Sequence, residues 1–117
     1  MEYVNKYRTI RQEEITLLHH MLNLANLNIA DFPHTERVFE YEGGKMGSIN
    51  FDNDNTDNYL GDIMAIEFKD EDHVRVVVTL TVDKDQKLLD MDFWKEDFSA
   101  LKKYPTPDIV SKAQHII

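Results

Sequence analysis

Asp90, Asp92 and Trp94 alternate within the run LLDMDFWK, and Glu67, Arg75 and Thr79 occupy alternating positions in the two runs before it. Carboxylates that share one strand face can move protons, pair with a guanidinium or attract a cation. A nearby indole adds a surface on which a cation can stack. These residues work together only if strand register places them together, so the elements that carry them decide what chemistry is available.

Val74 to Val82 is a β-branched run of the kind that favours strands. Asp70-Glu71-Asp72 precedes it, and Asp83 to Gln86 separates it from the run ending at Trp94. Side chains alternate with period two, so register sorts the residues onto two faces. An odd-length turn of three residues sets Phe68 opposite Val74, Ile66 opposite Val76, Met64 opposite Val78 and Glu67 opposite Arg75. A four-residue loop at Asp83 to Gln86 sets Leu80 opposite Leu89, Val78 opposite Met91 and Val76 opposite Phe93. The expected core face is Met64, Ile66, Phe68, Val74, Val76, Val78, Leu80, Val82, Leu89, Met91 and Phe93. The other face collects Glu67, Arg75, Asp90, Asp92 and Trp94, with Arg75 between Glu67 and Trp94. Three readings of that face stay open: an amphipathic surface partly covered by residues 108–117, a surface for a protein partner, or a pair of catalytic carboxylates.

Upstream, Ile15, Leu18, Leu22, Ala25 and Ile29 recur at helical spacing, widened by Leu17, Met21 and Leu24. Residues 11–30 therefore read as a helix, capped either by Thr9-x-x-Gln12 or by Arg11 with an Ile10–Ile15 staple. Arg37 to Glu42 and Lys45 to Phe51 read as strands joined at Gly43-Gly44. Asp62 to Lys69 reads as a further strand. Trp94 and Phe98 are expected to meet, either plugging one end of the core or serving as an exposed anchor. Asp108 reads as the cap of a short C-terminal helix. The expected fold is one α+β domain: an N-terminal helix packed on a mainly antiparallel sheet of about five strands, closed by a short C-terminal helix.

Other chemistries lack their motifs. Asp52 to Asn58 opens like an EF-hand, but Asp57 replaces the turn glycine and Ile63 the bidentate glutamate, so tight calcium binding is not expected. His19, His20, His34, His73 and His115 show no zinc spacing, so no metal site is expected. Gly43-Gly44-Lys45-Met46-Gly47-Ser48 leads into a strand, not a helix, which excludes a P-loop. No nucleophile triad is present, and neither catalytic residues nor cofactors are expected. The chain has 117 residues, no cysteine and a net charge of −9. That charge argues against nucleic acid and anionic membranes, and it reads either as the charge that keeps a cytosolic protein in solution or as attraction to a basic protein partner. No run approaches the roughly 18 apolar residues of a membrane span, and the N-terminus lacks a signal-peptide pattern, so the cytoplasm is expected.

A helix with Glu-x3-Leu, the segment Gly-Gly-x-Met-Gly-Ser, an Asp-rich strand turn and Leu-Asp-Met-Asp-Phe-Trp-Lys-Glu-Asp-Phe-Ser-x-Leu together resemble a family of small uncharacterised bacterial proteins, some near toxin–immunity genes. The likeness is strongest at Gly44 to Ile49, Val78 to Asp85 and Leu89 to Pro105. Relatives often carry Gly where Gln86 stands. The resemblance implies an α+β fold and a bacterial cytosolic protein; it supplies no reaction. The function expected is a non-enzymatic, acidic protein-binding domain, in its most concrete form an immunity-type inhibitor of a basic toxin. The alternative is a small ligand-binding or enzymatic domain using Asp90, Asp92 and Arg75 in a pocket. The oligomeric state is not legible in the sequence.

Overall fold

The computed structural model describes residues 7–41, 45–54 and 56–113. Among the described residues seven strands form one antiparallel sheet: β1 (Tyr7–Thr9), β2 (Arg37–Glu40), β3 (Ile49–Asn50), β4 (Tyr59–Lys69), β5 (Arg75–Asp83), β6 (Leu88–Lys95) and β7 (Ser111–Lys112). Their order across the sheet is β1-β2-β3-β6-β5-β4-β7. One helix, α1 (Gln12–Leu24), contributes to the core between β1 and β2 in sequence.

Helix α1 starts at Arg11, whose backbone N–H donates to Glu14 Oε1 at 2.8 Å. It stops well short of residue 30. Asn26 adopts φ 59°, and the Leu27 and Asn26 N–H groups bond back to the Leu22 and Asn23 carbonyls at 2.9 and 3.0 Å. That is a Schellman ending, with asparagine at the left-handed position. Ile29 instead joins a 3-10 turn, Ile29–Asp31. A 13-residue helix is marginal alone. Leu17, Leu18, Met21 and Leu22 are fully buried in the core, and each contributes about 1.5–3 kcal/mol.

Most of the two faces are as the alternation implies, but the bulge in the β5–β6 ribbon puts Leu88 rather than Leu89 in the core cluster, Val74 falls in the turn before β5 and outside that cluster, and the partners differ. Ile66 pairs with Val78, Phe68 with Val76 and Met64 with Leu80. On the other side Val78 pairs with Phe93 and Leu80 with Met91. Every central pairing is thus displaced by two residues from the expected one. The β4–β5 connection runs through Asp70 to Val74, with His73 at φ 65°. A displacement of two keeps each side chain on its face, so burial alone cannot exclude it. In the β5–β6 ribbon a bulge lies between Leu80 and Val82. Thr81 Oγ1 accepts the Asp90 N–H there at 3.0 Å, and Leu88 and Leu89 are both buried.

The sheet is wider than five strands because both edges gain a short one. β1 pairs with β2, and β7 pairs with β4. The C-terminal region is a 3-10 turn, Pro107–Ile109, followed by β7, where a helix was expected. Asp108 lies inside that turn, and Thr106 precedes it as the cap. Residues 111–112 pair with the edge of β4 as β7; residues 114–117, the rest of the segment weighed as a cover for the polar face, lie outside the described set. The Gly43-Gly44 turn also lies outside it; β2 and β3 pair antiparallel with Phe39 opposite Asn50 and Glu40 opposite Ile49, two residues away from the register that a two-residue turn at Gly43-Gly44 would set, and β3 is confined to Ile49–Asn50 where a strand from Lys45 to Phe51 was expected.

Loop polarity has a structural use. Asn53 donates to Asp83 Oδ2 at 2.9 Å and to the Leu88 carbonyl at 3.1 Å. The Asn50 side chain bonds the Asn53 backbone twice: Nδ2 donates to the Asn53 carbonyl at 2.8 Å and Oδ1 accepts the Asn53 N–H at 2.7 Å. Asn53 therefore ties the start of this loop to the β5–β6 turn. Among the described residues no group of three or more His, Cys, Asp or Glu side chains could hold a metal ion, and no helix is long and apolar enough to cross a membrane.

Candidate functional site

β6 alternates strictly after its bulge: Met91, Phe93 and Lys95 point to the core, while Asp92 and Trp94 point away. β3 lies directly beside it, pairing Asn50 with Asp90 and Ile49 with Met91. This long-range pairing surrounds the aspartates with donors. Asp90 Oδ1 accepts from the Tyr41 hydroxyl at 2.7 Å and from Asn50 Nδ2 at 3.0 Å. The Ser48 hydroxyl lies 3.1 Å from Asp92 Oδ1, and Ser48 Oγ accepts the Phe93 N–H at 2.8 Å. Burial, reinforced by the Asp90 carboxylate, pushes the Tyr41 phenol well up, so it remains a donor.

Beyond the aspartates the chain turns sharply. Phe98 adopts φ 61° and its N–H bonds the Lys95 carbonyl at 2.9 Å. The turn sets the Phe98 ring edge-to-face with Trp94 at 6.3 Å. Trp94 is 41% exposed and Phe98 63%, so the pair faces solvent rather than plugging the core. Tyr41, Ser48, Asp90, Asp92, Trp94 and Phe98 line one groove of about 480 Å³, with Met46 and Phe93 completing it.

Glu67 and Arg75 are on the same sheet face but not in the groove. Trp94 stands opposite Val77, which stands opposite Glu67, so one row crosses the sheet as Glu67, Val77, Trp94. Arg75 is opposite Lys69, not Glu67 or Trp94. Its guanidinium still reaches Glu67 at 3.0 Å across the diagonal and Glu96 at 3.4 Å. The expected stacking of Arg75 on Trp94 gives way to these two carboxylates. The structure thus joins Asp90, Asp92 and Trp94 and leaves Glu67 and Arg75 as a neighbouring ion pair.

Sequence reasoning missed Tyr41, Ser48 and Asn50 as partners of the aspartates. Nothing local announces them, because β3 meets β6 only through the strand order. It also missed Lys95, which is 1% exposed. Its ammonium donates to Asp70 at 2.9 Å, Asp72 at 2.7 Å and the Ala100 carbonyl at 3.0 Å. Asp70 in turn accepts the backbone N–H groups of Lys102 and Lys103 at 2.7 and 3.1 Å. The signal was available: Lys95 continues the core parity of Met91 and Phe93. This clamp fastens residues 100–103 beside the turn that carries Phe98.

A second ion cluster anchors the helix start. Arg8 reaches Glu14 through two bonds of 2.8 and 2.7 Å and Glu40 at 2.6 Å. Both clusters join elements distant in sequence, so they position the fold.

A family profile described as Domain of unknown function (DUF6984) matches residues 7–105. No curated protein and no solved structure matches the chain.

Proposed function

Because the chain belongs to the family described as Domain of unknown function (DUF6984), whose description assigns no activity, we propose a function from the groove itself: a non-enzymatic domain that binds a basic protein through the face bearing Asp90, Asp92 and Trp94. The observation that carries this reading is one groove combining two carboxylates held by neighbouring donors with two exposed aromatic rings. Aromatic side chains anchor interfaces, and acidic ones steer a basic partner into place. The net charge of −9 extends that attraction beyond the groove. Glu67 adds a carboxylate on the same face, although Arg75 neutralises part of it.

In its most concrete form the domain is an immunity-type inhibitor in the bacterial cytoplasm, masking a basic toxin encoded beside it. Co-expression tests this form. A neighbouring gene product should arrest growth, this chain should restore it, and the Asp90→Asn/Asp92→Asn double variant should restore it poorly. If no neighbour arrests growth, the immunity form is wrong; if the double variant protects fully, the groove is not the contact.

The groove's size also supports a second reading, since small-molecule sites occupy about 300–1,000 Å³. A ligand-binding or enzymatic domain would then use Asp90 and Asp92. Arg75, bound to Glu67 and Glu96, does not line the groove, which removes the cation that this reading relied on. A small cationic metabolite that binds with an unchanged affinity when a protein partner is present would favour it.

A further inference from the structure

We propose that Lys95 is a positioning residue for the groove: with Asp70 and Asp72 it straps down the turn at residues 96–103 and so holds Phe98 against Trp94. The strap is independent of what the groove binds; its consequence for binding rests on the role proposed above.

Phe98 does not hold its own place. Its φ of 61° is a left-handed conformation that a bulky side chain enters only at a cost. Such a conformation persists when its surroundings over-determine it. Burial does not supply that restraint, because Phe98 is 63% exposed. Its ring contact with Trp94 is a single edge-to-face pair at 6.3 Å. The restraint therefore comes from the backbone on either side of Phe98.

Both sides converge on Lys95. Neighbouring residues of an extended strand point to opposite faces, so the end of β6 sends Trp94 into the groove and Lys95 beneath it. The β5–β6 ladder runs out at Glu96, whose N–H bonds the Arg75 carbonyl at 3.0 Å. Beyond it, the Lys95 carbonyl accepts the Phe98 N–H at 2.9 Å, and the Lys95 ammonium donates to the Ala100 carbonyl at 3.0 Å. Asp97 accepts from the N–H and hydroxyl of Ser99, within the turn itself. Among the described residues, the hydrogen bonds that tie residues 97–100 to the rest of the molecule thus pass through Lys95. An ammonium has three donors, and the other two go to Asp70 and Asp72. Asp70 in turn accepts the N–H groups of Lys102 and Lys103, while the Leu101 N–H bonds the Lys45 carbonyl at 3.0 Å. The strap closes on both sides of Phe98.

Trp94 is the sole tryptophan of the chain, so its fluorescence reports on this wall of the groove directly. The test measures emission and acrylamide quenching at neutral pH on the intact chain, Phe98→Ala, Lys95→Met/Asp70→Asn, Asp72→Asn and Glu14→Gln, with circular dichroism checking each fold. Phe98→Ala sets the scale: it bares the indole, so quenching should rise and emission should shift to the red. Lys95→Met/Asp70→Asn removes two buried charges together, which a fold tolerates better than the loss of one, and should reach the Phe98→Ala level. Asp72 is 25% exposed, so Asp72→Asn spares the fold, removes one partner and should fall between the intact chain and Phe98→Ala. It decides alone if the double variant does not fold. Glu14→Gln weakens the Arg8 cluster instead and should leave Trp94 as in the intact chain. Unchanged quenching in Phe98→Ala or in the folded strap variants, or an equal rise in Glu14→Gln, would overturn the strap and leave the basic-partner reading standing. A strap variant that bares Trp94 yet protects fully on co-expression would keep the strap and overturn the groove as the partner contact.

Discussion

Tyr104 is the one buried side-chain polar group without a hydrogen-bond partner among the described residues. Its ring packs against Phe93 at 5.4 Å, and burial pushes the phenol far above its ordinary value. A hydroxyl removed from water without a partner costs stability, so deleting it relieves that cost. Tyr104→Phe should be neutral or stabilise the fold by up to about 1–2 kcal/mol, measured by urea denaturation. A loss of stability would show that the hydroxyl has a partner after all. Gln86 poses a backbone question of the same size. It sits at φ 62° in the β5–β6 turn, where Asp83 Oδ1 accepts the N–H groups of Asp85 and Lys87 at 2.8 and 3.0 Å. A side chain in the left-handed region is strained, and glycine is not. Gln86→Gly should raise stability by about 0.5–1 kcal/mol after allowing for the freer unfolded chain. A lower melting temperature would mean that the Gln86 side chain contributes contacts that outweigh the strain.

Between elements, the Lys95 clamp is the most consequential arrangement. It links the β4–β5 turn, the end of β6 and the segment at residues 100–103 through Asp70. Burial alone would raise the Asp70 carboxyl, but the Lys102 N–H, the Lys95 ammonium and the Glu71 N–H outweigh it and hold it low. Asp72 is held low chiefly by the same ammonium. Lys95 is raised, because Asp72 and Asp70 overcome the opposing effect of burial. The signs then set the pH window. A carboxyl depressed in the folded state stabilises above its unfolded value and loses that contribution as pH falls through the folded value. The raised lysine stabilises below its unfolded value and loses that contribution as pH rises past the folded one. Stability should therefore fall below about pH 4 and again above about pH 10.5. Asp70→Asn should cost about 2 kcal/mol at neutral pH, the scale of a charge-assisted bond, and should flatten the acid limb. Urea titrations between pH 3 and 7 measure both; an unchanged acid limb would place the acid sensitivity elsewhere.

Across the whole molecule, charge sets how a partner arrives. The chain carries 22 acidic and 13 basic residues, so the field around it is negative at neutral pH. Acidic steering mainly accelerates association and fades with salt. Asp90→Asn/Asp92→Asn should slow association with the basic partner at low ionic strength, leave the fold intact and flatten the salt dependence of the rate. Stopped-flow or surface-based kinetics at two salt concentrations decide it. An unchanged rate and salt dependence would place the contact on another face.

Much of this fold was legible because its signals are local. Helical spacing announced α1, alternation announced β4 to β6, and parity put Asp90, Asp92 and Trp94 on the face away from the core. Parity could not fix absolute register, because a displacement of two residues preserves every face; the length of the β4–β5 turn and the bulge at Thr81 decided it. The edge strands β1 and β7, of three and two residues, are too short to show a pattern. The sequence by itself determined which side chains turn outward on β6, since two-residue periodicity is a property of the extended backbone. Only the tertiary structure decided what surrounds them. The placement of β3 against β6 brought Tyr41, Ser48 and Asn50 to the carboxylates, and the turn after Lys95 brought Phe98 to Trp94. Spacing along the chain already brought Phe98 near Trp94, but Tyr41, Ser48 and Asn50 reach the carboxylates across 40 residues or more of chain, and no local spacing encodes such a pairing.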